Sequence, residues 1–238
     1  MFVPPCPNDS GTTIGTVIDA WARTTGTPQI EWSVYGGLEF EWDGEPDSAR
    51  WERRTLDYRA LAETLTGGEP VAWIQGRWEI GPRALGNRSL LAEPFKARTR
   101  DVLNEIKKRE SYRPIAPCCR LEDAGTLFDS DFDDPYMLYF RQVVSDRLAA
   151  VTHVDRSARA QTVTRDSNEP LYNLLSAFAE VHGIGVLCNT SLNFKGRGFI
   201  NRMSDLAKYC EARGIREMVV GDVWFRRRPI DRPEGNRV

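Results

Sequence analysis

Residues 71–89, VAWIQGRWEIGPRALGNRS, place an apolar run directly before a loop rich in arginine and glycine. The run Val71–Ile74 predicts a buried strand. The loop contains Arg77, Arg83 and Arg88, and arginine is a forked donor that stays charged at any working pH. Glycine lets a backbone approach a ligand closely. The stretch therefore predicts a strand that ends in an anion-binding loop, the alternative being a structural or solvated loop.

Length and composition restrict the class of protein. The chain has 238 residues, of which 41% are hydrophobic and 28% charged, as in ordinary globular domains. Its net charge of −2 does not favour nucleic-acid binding. No apolar run approaches the roughly 20 residues that span a bilayer, and the first residues lack the pattern of a signal peptide. We therefore expect a cytoplasmic protein with no membrane partner.

The local charge differs from the overall charge. Between Arg77 and Arg120, eleven lysines and arginines stand against five acids, an excess of six positive charges. Part of this excess suits a solvated helix face. The functional interpretation is an anion site.

Cysteine and histidine usage argues against metal and disulfide chemistry. The five cysteines form no CxxC pair, which favours buried thiols in a reducing compartment. The two histidines, His153 and His182, are too few for a multi-histidine metal site. No metal ligands are predicted.

Helical patterns alternate with short apolar strands, which predicts an α/β sheet domain over residues 55–225. The expected helices cover 56–65, 99–109, 170–182 and 204–212. The expected strands cover 71–75, 136–144, 160–163, 186–188 and 218–220, with 223–225 continuing the last. We expect an amino-terminal stub with a helix within 1–27 and a surface linker over 28–55, together forming a region 1–54. A basic tail over 226–238 completes the predicted organisation.

Polar residues cluster at the predicted ends of four elements, over 77–88, 107–114, 153–161 and 189–198. Neutral donors and acceptors at 189–193, combined with several arginines, suit a small planar anion. No Ser/His/Asp order or Cys/His pairing in the sequence is persuasive, and there is no GKS or GKT motif. The residues alone thus favour an anion-binding domain that acts by positioning and electrostatics. The alternatives are an exposed helix end at 107–109 and a simple turn at His153.

Five collinear motifs resemble a known family: GRWEIGPRALGNRSLLAEP, NEIKKRESYRPIAP, DPYML, HVDRSARAQTV and CNTSLNFKG. They are similar to the carboxy-terminal domain of ATP-dependent O-carbamoyltransferases of the antibiotic and nodulation type, over roughly residues 56–222. The resemblance implies a YrdC-like α/β (α+β) fold, a twisted mixed sheet with flanking helices and a cationic concavity. The first 15 residues resemble the end of the family's amino-terminal Kae1-like domain.

The resemblance also implies an activity. The domain is expected to bind ATP, Mg²⁺ and carbamoyl phosphate, and to form carbamoyl-adenylate with release of pyrophosphate and phosphate. In the family, a Kae1-like metal-containing domain then transfers the carbamoyl group to a hydroxyl of a small-molecule acceptor. Because the larger domain is absent from these 238 residues, we expect a separate Kae1-like transferase protein as partner.

The family's functional positions carry over residue by residue. Lys107 and Arg113 match the positions that hold carbamoyl phosphate in the family, and Arg159 and Ser191 match two more of its ligand positions. These four are the expected catalytic residues. Those expected to bind the nucleotide or support the site are Arg83, Asn87, Arg88, Asn189 and Asn193.

Some residues depart from the family pattern, and other functions are possible. Trp78, Ile80, Ala160 and Leu192 replace the usual residues, and Arg197–Phe199 stands where an acidic-proline step is usual. One alternative is a non-catalytic scaffold or binding subunit of a carbamoyltransferase complex. Another is an adenylate-forming or amide-forming enzyme for a different small carboxylate.

The tryptophans before residue 55 suggest an interface with a partner. They are Trp21, Trp32, Trp42 and Trp51. Aromatic residues are enriched at protein interfaces, so we expect these four to contact a partner or to fold back onto their own domain.

Overall fold

A computed structural model of the chain describes residues 5–6, 9–29, 31–194, 196 and 198–229. The helices are α1 (Asp9–Thr25), α2 (Tyr58–Thr66), α3 (Ala97–Ile106), α4 (Ala124–Leu127), α5 (Glu169–His182) and α6 (Met203–Arg213), with a 3₁₀ turn at Leu121–Asp123. The strands are β1 (Trp51–Thr55), β2 (Val71–Ile74), β3 (Arg88–Ala92), β4 (Ala116–Arg120), β5 (Arg141–Gln142), β6 (Ser157–Ala158), β7 (Gln161–Val163), β8 (Val186–Ser191), β9 (Glu217–Val220) and β10 (Val223–Arg227).

A mixed sheet organises the domain. In the described part of the chain it has eight strands in the order β1-β10-β9-β2-β3-β8-β4-β7. The pairs β2/β9 and β4/β7 are parallel, and the other neighbours are antiparallel. The short strands β5 and β6 pair separately. The predicted α/β class, a mixed sheet with flanking helices, is confirmed.

Helices cover both faces of the sheet. Ala72 and Ile74 of β2 pack in one core, to which α3 and α6 contribute. Val71 and Trp73 pack in the other core, with apolar residues of α2 and α5. This alternation follows from the two-residue period of a strand. Because both faces are covered, central strands such as β2 and β3 are buried throughout.

Local capping residues explain where the long helix α5 begins and ends. The side chain of Asn168 accepts a hydrogen bond from the backbone N–H of Leu171 at 3.2 Å. Pro170 lies in the first turn, where its missing N–H has no cost. Gly183 ends the helix in the left-handed conformation, with φ of 78°. This helix lies within one residue of its predicted bounds.

Two strands of the sheet extend across the predicted domain limits. Strand β1 begins at Trp51, inside the region 1–54, and β10 continues to Arg227, inside the predicted tail. Strand β1 is an edge strand of the sheet, and only its first residue, Trp51, is buried. Its charged, exposed residues gave no apolar alternation, so the sequence suggested a linker. Residues 230–238 lie outside the described part.

Three other elements differ from their predictions. Residues 136–144 form only the short strand β5, and β3 lies where the arginine-rich loop was expected to continue. Strand β10 does not continue β9, because Gly221, with φ of 60°, turns the chain back into an antiparallel pair. A positive φ is readily adopted by glycine.

The amino-terminal helix α1 differs from the others because it buries no residue. Trp21 is 49% exposed, and Trp32 and Trp42 are also exposed. Trp51 is only 2% exposed and belongs to the core, so it is not available to a partner. Within the described residues, no helix combines the length and the apolar content that a membrane crossing requires.

Candidate active site

Strand register brings the predicted polar clusters to one end of the sheet. The end of β2 pairs with the start of β3, and the start of β3 pairs with the end of β8. The start of β4 also meets the last residues of β8, and β7 runs parallel to β4. We call this end the polar rim; it comprises residues 75–87, 107–115, 159 and 189–193. All four sequence clusters therefore contribute to one side of the molecule.

Lys107, Ser191 and Asn193 are in direct contact at the polar rim. The Lys107 ammonium donates to the backbone oxygen of Ser191 at 2.5 Å and to its hydroxyl at 3.2 Å. It also donates to Oδ1 of Asn193, which accepts from the Ser191 hydroxyl at 2.8 Å. Lys107 thus binds two residues that lie 84 and 86 positions after it in the sequence.

A cavity of about 300 Å³ opens beside this contact, and Arg113 also lines it. Its described lining residues are Lys107, Lys108, Arg109, Glu110, Arg113, Ser191, Asn193, Gly196, Tyr209 and Arg213. Burial, together with the nearby charges of Arg109 and Arg213, lowers the pKa of Lys107 to about 8. A partly buried cation among other cations is stabilised by an anionic ligand.

Asn104, buried in α3, holds the segment that carries Lys107 and Arg113. Its amide nitrogen donates to the backbone oxygens of Ser111 at 3.0 Å and Arg113 at 2.9 Å. Its side-chain oxygen accepts from Nε of Arg109 at 2.5 Å. One neutral side chain therefore fixes three points of residues 109–113 without offsetting their positive charge.

Arg113 is free to meet a ligand, because its ion pair is weak. Its Nε lies 2.8 Å from a carboxylate oxygen of Glu110, but both side chains are 54% exposed. Exposed ion pairs of this kind contribute little to stability. A phosphate group could therefore replace Glu110 as the partner of Arg113 at small cost.

Glu79 organises the arginine-rich loop from inside. Its Oε1 accepts hydrogen bonds from the backbone N–H groups of Leu85, Asn87 and Arg88, at 2.7, 2.8 and 3.2 Å. Burial raises the pKa of this carboxyl, although those backbone donors oppose the shift. Gly86 fits the same loop with φ of 104°, and a Cβ there would come within 2.5 Å of Leu171.

Arg83 and Arg159 form a second cationic group at the polar rim. Burial and the nearby charge of Arg83 lower the pKa of Arg159. The Arg83 segment is held by amides: Asn189 donates to the backbone oxygen of Ala84 at 3.1 Å, and Gln161 to that of Leu85 at 2.8 Å. Neither Arg83 nor Arg159 lines the Lys107 cavity.

Arg88, Asn87 and Asn189 make their contacts within the protein. Arg88 is fully buried and donates to the backbone oxygens of Gln75, Gly76 and Asn87 and to the side chain of Asn201. Asn87 donates to the oxygen of Arg77 and accepts from Asn168. These three residues, predicted as ligands, are buried and support the loop from the interior of the protein. The other six predicted site residues are only partly buried or exposed: Lys107, Arg113, Arg83, Arg159, Ser191 and Asn193.

Sequence reasoning missed the residues that hold the loops. They are Glu79, Asn104, Gln161 and Asn168. Glu79 and Asn104 stand inside the quoted motifs, but local sequence does not show which polar residue is buried. The signal available was the placement of an acid among three arginines, where a carboxylate can bind backbone donors.

Cations and amides, rather than carboxylates, dominate the polar rim. In the described part of the chain, no three His, Cys, Asp or Glu side chains are arranged to hold a metal ion. The donor set suits phosphate or carboxylate groups.

The family model for the carbamoyltransferase C-terminus matches residues 62–227. The chain belongs to this family. The resemblance seen in the motifs is thereby confirmed, and the polar rim contains residues of four of the five motifs, all but DPYML.

Two curated relatives and one solved structure illustrate the similarity. The 3'-hydroxymethylcephem-O-carbamoyltransferase of Amycolatopsis lactamdurans is 65% identical over 95% of this chain and 44% of its own length. Nodulation protein U of Rhizobium tropici is 42% identical over 89% of this chain and 36% of its own. The crystal structure of full-length HypF in the phosphate- and nucleotide-bound form matches at a TM-score of 0.46 and 15% identity, over 74% of this chain and 26% of its own. The chain thus spans less than half the length of these curated relatives.

Anion binding should depend on the protonation of Lys107. Its pKa of about 8 means that the ammonium is charged below pH 8 and loses its proton as the pH rises through that value. For carbamoyl phosphate, the ligand that the motif resemblance implies, we expect the Kd to be constant near pH 7 and to increase above pH 8, by up to about tenfold per pH unit. The phosphate already carries its second charge above about pH 6, so it does not titrate in this range. Calorimetric titration between pH 7 and 9.5 measures this.

The Lys107→Arg variant is the control for that profile. Arginine keeps its charge over the whole range, so its Kd should not change with pH. An equal pH dependence in both proteins would contradict the assignment to Lys107.

Replacing Asn104 should disturb the same cavity through the backbone. In Asn104→Leu the backbone oxygens of Ser111 and Arg113 lose their hydrogen-bond donor, so residues 109–113 are no longer held in one conformation. We expect carbamoyl phosphate to bind about tenfold more weakly, a change of about 1.4 kcal/mol, measured by calorimetry. The control is Asn173→Leu on α5, which removes an amide from a helix away from the cavity. Equal binding by both variants would contradict the role of Asn104.

Proposed function

We propose that this domain forms carbamoyl-adenylate from carbamoyl phosphate and ATP. A metal-bearing transferase domain then passes the carbamoyl group to a hydroxyl or amine of a natural product. The observation that carries the proposal is the contact of Lys107 with Ser191 and Asn193, beside Arg113, in a cationic cavity of about 300 Å³. Family membership supports it, since the curated relatives are named for carbamoyl transfer or nodulation.

The proposed chemistry balances without a protein nucleophile. Water adds to the carbonyl carbon of carbamoyl phosphate, the bond from that carbon to the phosphate oxygen breaks, and carbamate and phosphate form with release of one proton to solvent. A carbamate oxygen then attacks the α-phosphorus of ATP, and the bond from that phosphorus to the bridging oxygen breaks. Pyrophosphate leaves with the electron pair, and carbamoyl-adenylate remains. Because carbamate is already an anion, no general base is needed for the attack.

The chain's own residues bring two mutually repelling anions together. Lys107 and Arg113 hold the phosphate of carbamoyl phosphate, and Ser191 contributes its hydroxyl. Arg159 and Arg83 bind the phosphates of ATP. Positioned donors of this kind stabilise charge that develops on a leaving phosphate, which is the usual basis of phosphoryl-transfer catalysis. The Lys107 ammonium is already partly desolvated, so it loses less hydration when it meets its anion.

Mg²⁺ enters this proposal with the nucleotide. Mg²⁺ prefers oxygen ligands and often binds through substrate phosphates with few protein carboxylates. The cations and amides of the polar rim fit the remaining phosphate oxygens. When bound, the ion neutralises charge on the ATP phosphates.

The proposed transferase step uses the part of the relatives that lies outside the match. The relatives are more than twice as long as the part that matches, so we propose that a Kae1-like metal-containing protein or domain completes the reaction. The exposed helix α1, with Trp21 on its surface, is the proposed contact. One relative is named for a hydroxymethylcephem, which makes a small natural product the proposed acceptor class.

Pyrophosphate release tests the proposal. The 238-residue chain is incubated with ATP and Mg²⁺, with and without carbamoyl phosphate. Release that depends on carbamoyl phosphate supports it. Release only with another small carboxylate, or no release together with tight association with a transferase protein, would contradict it.

A further inference from the structure

Part of the predicted surface linker binds the arginine-rich loop. We call residues 34–43 the strap; most of them are exposed, so burial alone does not explain their placement. The backbone N–H of Gly37 donates to the oxygen of Trp78 at 3.0 Å, and the N–H of Trp78 donates to the oxygen of Leu38 at 3.2 Å. Nε of Arg77 also donates to the oxygen of Gly37, at 2.7 Å. The first half of the strap therefore follows the backbone of this loop.

The second half of the strap binds the segment that begins helix α6. The backbone N–H of Glu41 donates to the oxygen of Asn201 at 2.9 Å. The carboxylate of Asp43 accepts from the backbone N–H and from the hydroxyl of Ser204, at 2.9 and 2.6 Å. Arg202, at the N-cap position of α6, makes no side-chain cap, so Asp43 caps the helix from the strap.

The two segments that the strap binds lead to the two cationic groups of the polar rim. The arginine-rich loop carries Arg83. The segment before α6 starts at Asn193, which contacts Lys107 and forms a β-bridge with Phe199. The Phe199 ring lies 6.5 Å from the ring of Trp78, so the two segments also contact each other beside the strap.

The buried Arg88 joins the strap to both segments. Its Nη2 donates to the backbone oxygen of Gly76 at 3.0 Å and to the side-chain oxygen of Asn201 at 2.8 Å. The amide nitrogen of Asn201 donates in turn to the backbone oxygen of Glu39 at 2.8 Å. The Phe40 ring of the strap lies 5.7 Å from the guanidinium carbon. Because unsatisfied buried donors are costly, this arginine favours one arrangement of the three segments.

We propose that the strap is a positioning element that sets the spacing between the two cationic groups, with Gly37 and Asp43 as its anchors. None of the described residues that line the Lys107 cavity belongs to the strap, so it acts through the segments that it holds. The inference rests on the proposed function, because formation of carbamoyl-adenylate requires two anions in reacting positions. A misplacement of about 1 Å can reduce a rate about 10²-fold, so the strap should affect kcat more than substrate binding.

Gly37→Ala tests the anchor at the arginine-rich loop. A Cβ at this position would come within 1.6 Å of the Trp78 ring, so the contact between strap and loop must open. We expect kcat for pyrophosphate release to fall about 10- to 100-fold, while the KM for ATP and for carbamoyl phosphate changes less than about threefold. The matched control is Gly125→Ala on α4, where the nearest atom to an added Cβ lies 3.5 Å away. This control should keep the wild-type kcat.

Asp43→Ala tests the anchor at α6, and hydrogen exchange gives a readout that does not depend on activity. We expect kcat to fall about threefold to tenfold, and Asp43→Asn to restore most of it, because asparagine keeps an oxygen that can cap the helix. The backbone N–H groups of Trp78 and Ile80, at the other end of the strap, should exchange at least about threefold faster in Asp43→Ala. The N–H of Ser204 should likewise exchange faster in Gly37→Ala.

Three results would overturn the proposal. Faster exchange confined to the mutated end would mean that the strap does not connect the two segments. A lower midpoint of thermal unfolding with a wild-type kcat would assign the strap a stabilising role only. A higher KM for one substrate with unchanged kcat would limit its effect to one segment. If the wild-type chain releases no pyrophosphate, the proposed function fails, and the exchange at the opposite end then supports or overturns the strap alone.

Discussion

Lys107→Met is expected to reduce carbamoyl phosphate-dependent pyrophosphate release by about 10²- to 10³-fold, the usual effect of removing one positioned donor from a developing charge. Lys107 lines the cavity, and its ammonium contacts Ser191 and Asn193. Without it, carbamoyl phosphate and the ATP phosphates meet with less opposing charge. Methionine keeps most of the side-chain volume, so packing should change little. Initial rates of pyrophosphate release measure the effect.

Two observations separate this loss from unfolding or from a change in net charge. Because burial already lowers the pKa of Lys107, removing the charge should not destabilise the fold, and the midpoint of thermal unfolding should stay within a few degrees. Lys208→Met removes an equal charge from an exposed position on α6 and should keep the wild-type rate. A wild-type rate in Lys107→Met would remove the basis of the site.

The main elements of the fold were predictable where burial leaves a periodic pattern. Strand β2 and helix α5 lie close to their predicted bounds, since both are bounded by glycine or by capping residues. Strand β1 was missed because it is an edge strand, in which charged residues can be exposed to solvent. Strand β3 was missed because its first residue is the buried Arg88, which in sequence belongs to a polar loop.

The candidate site was less accessible to sequence reasoning. The residues alone predicted four polar clusters, over 77–88, 107–114, 153–161 and 189–198. They did not show where these clusters lie relative to one another in the fold. The pairing of Lys107 with Ser191 followed from the resemblance, because the two are 84 positions apart. The supporting amides act over similar separations, as when Asn189 binds the backbone of Ala84. Only the folded arrangement of strands, helices and loops brings such distant residues into contact.

The carboxylate that organises the arginine-rich loop leads to a large expected effect on stability. Glu79→Ala removes the hydrogen-bond acceptor of three buried backbone N–H groups, those of Leu85, Asn87 and Arg88. It also removes the negative charge nearest to the buried Arg88, whose pKa burial lowers to about 10. Unsatisfied buried donors and an uncompensated buried cation each destabilise strongly. We expect the free energy of unfolding to fall by about 4 kcal/mol, measured by urea denaturation.

Glu79→Gln separates the two causes. Glutamine keeps an oxygen that can accept the three backbone hydrogen bonds, but it carries no charge. If the hydrogen bonds dominate, this variant should lose only about 1 kcal/mol and keep its affinity for tripolyphosphate, because Arg83 stays in place. A loss as large as that of Glu79→Ala would assign the stabilisation to the charge opposite Arg88. Wild-type stability in Glu79→Ala would contradict both causes, because the loop would then keep its shape without its internal acceptor.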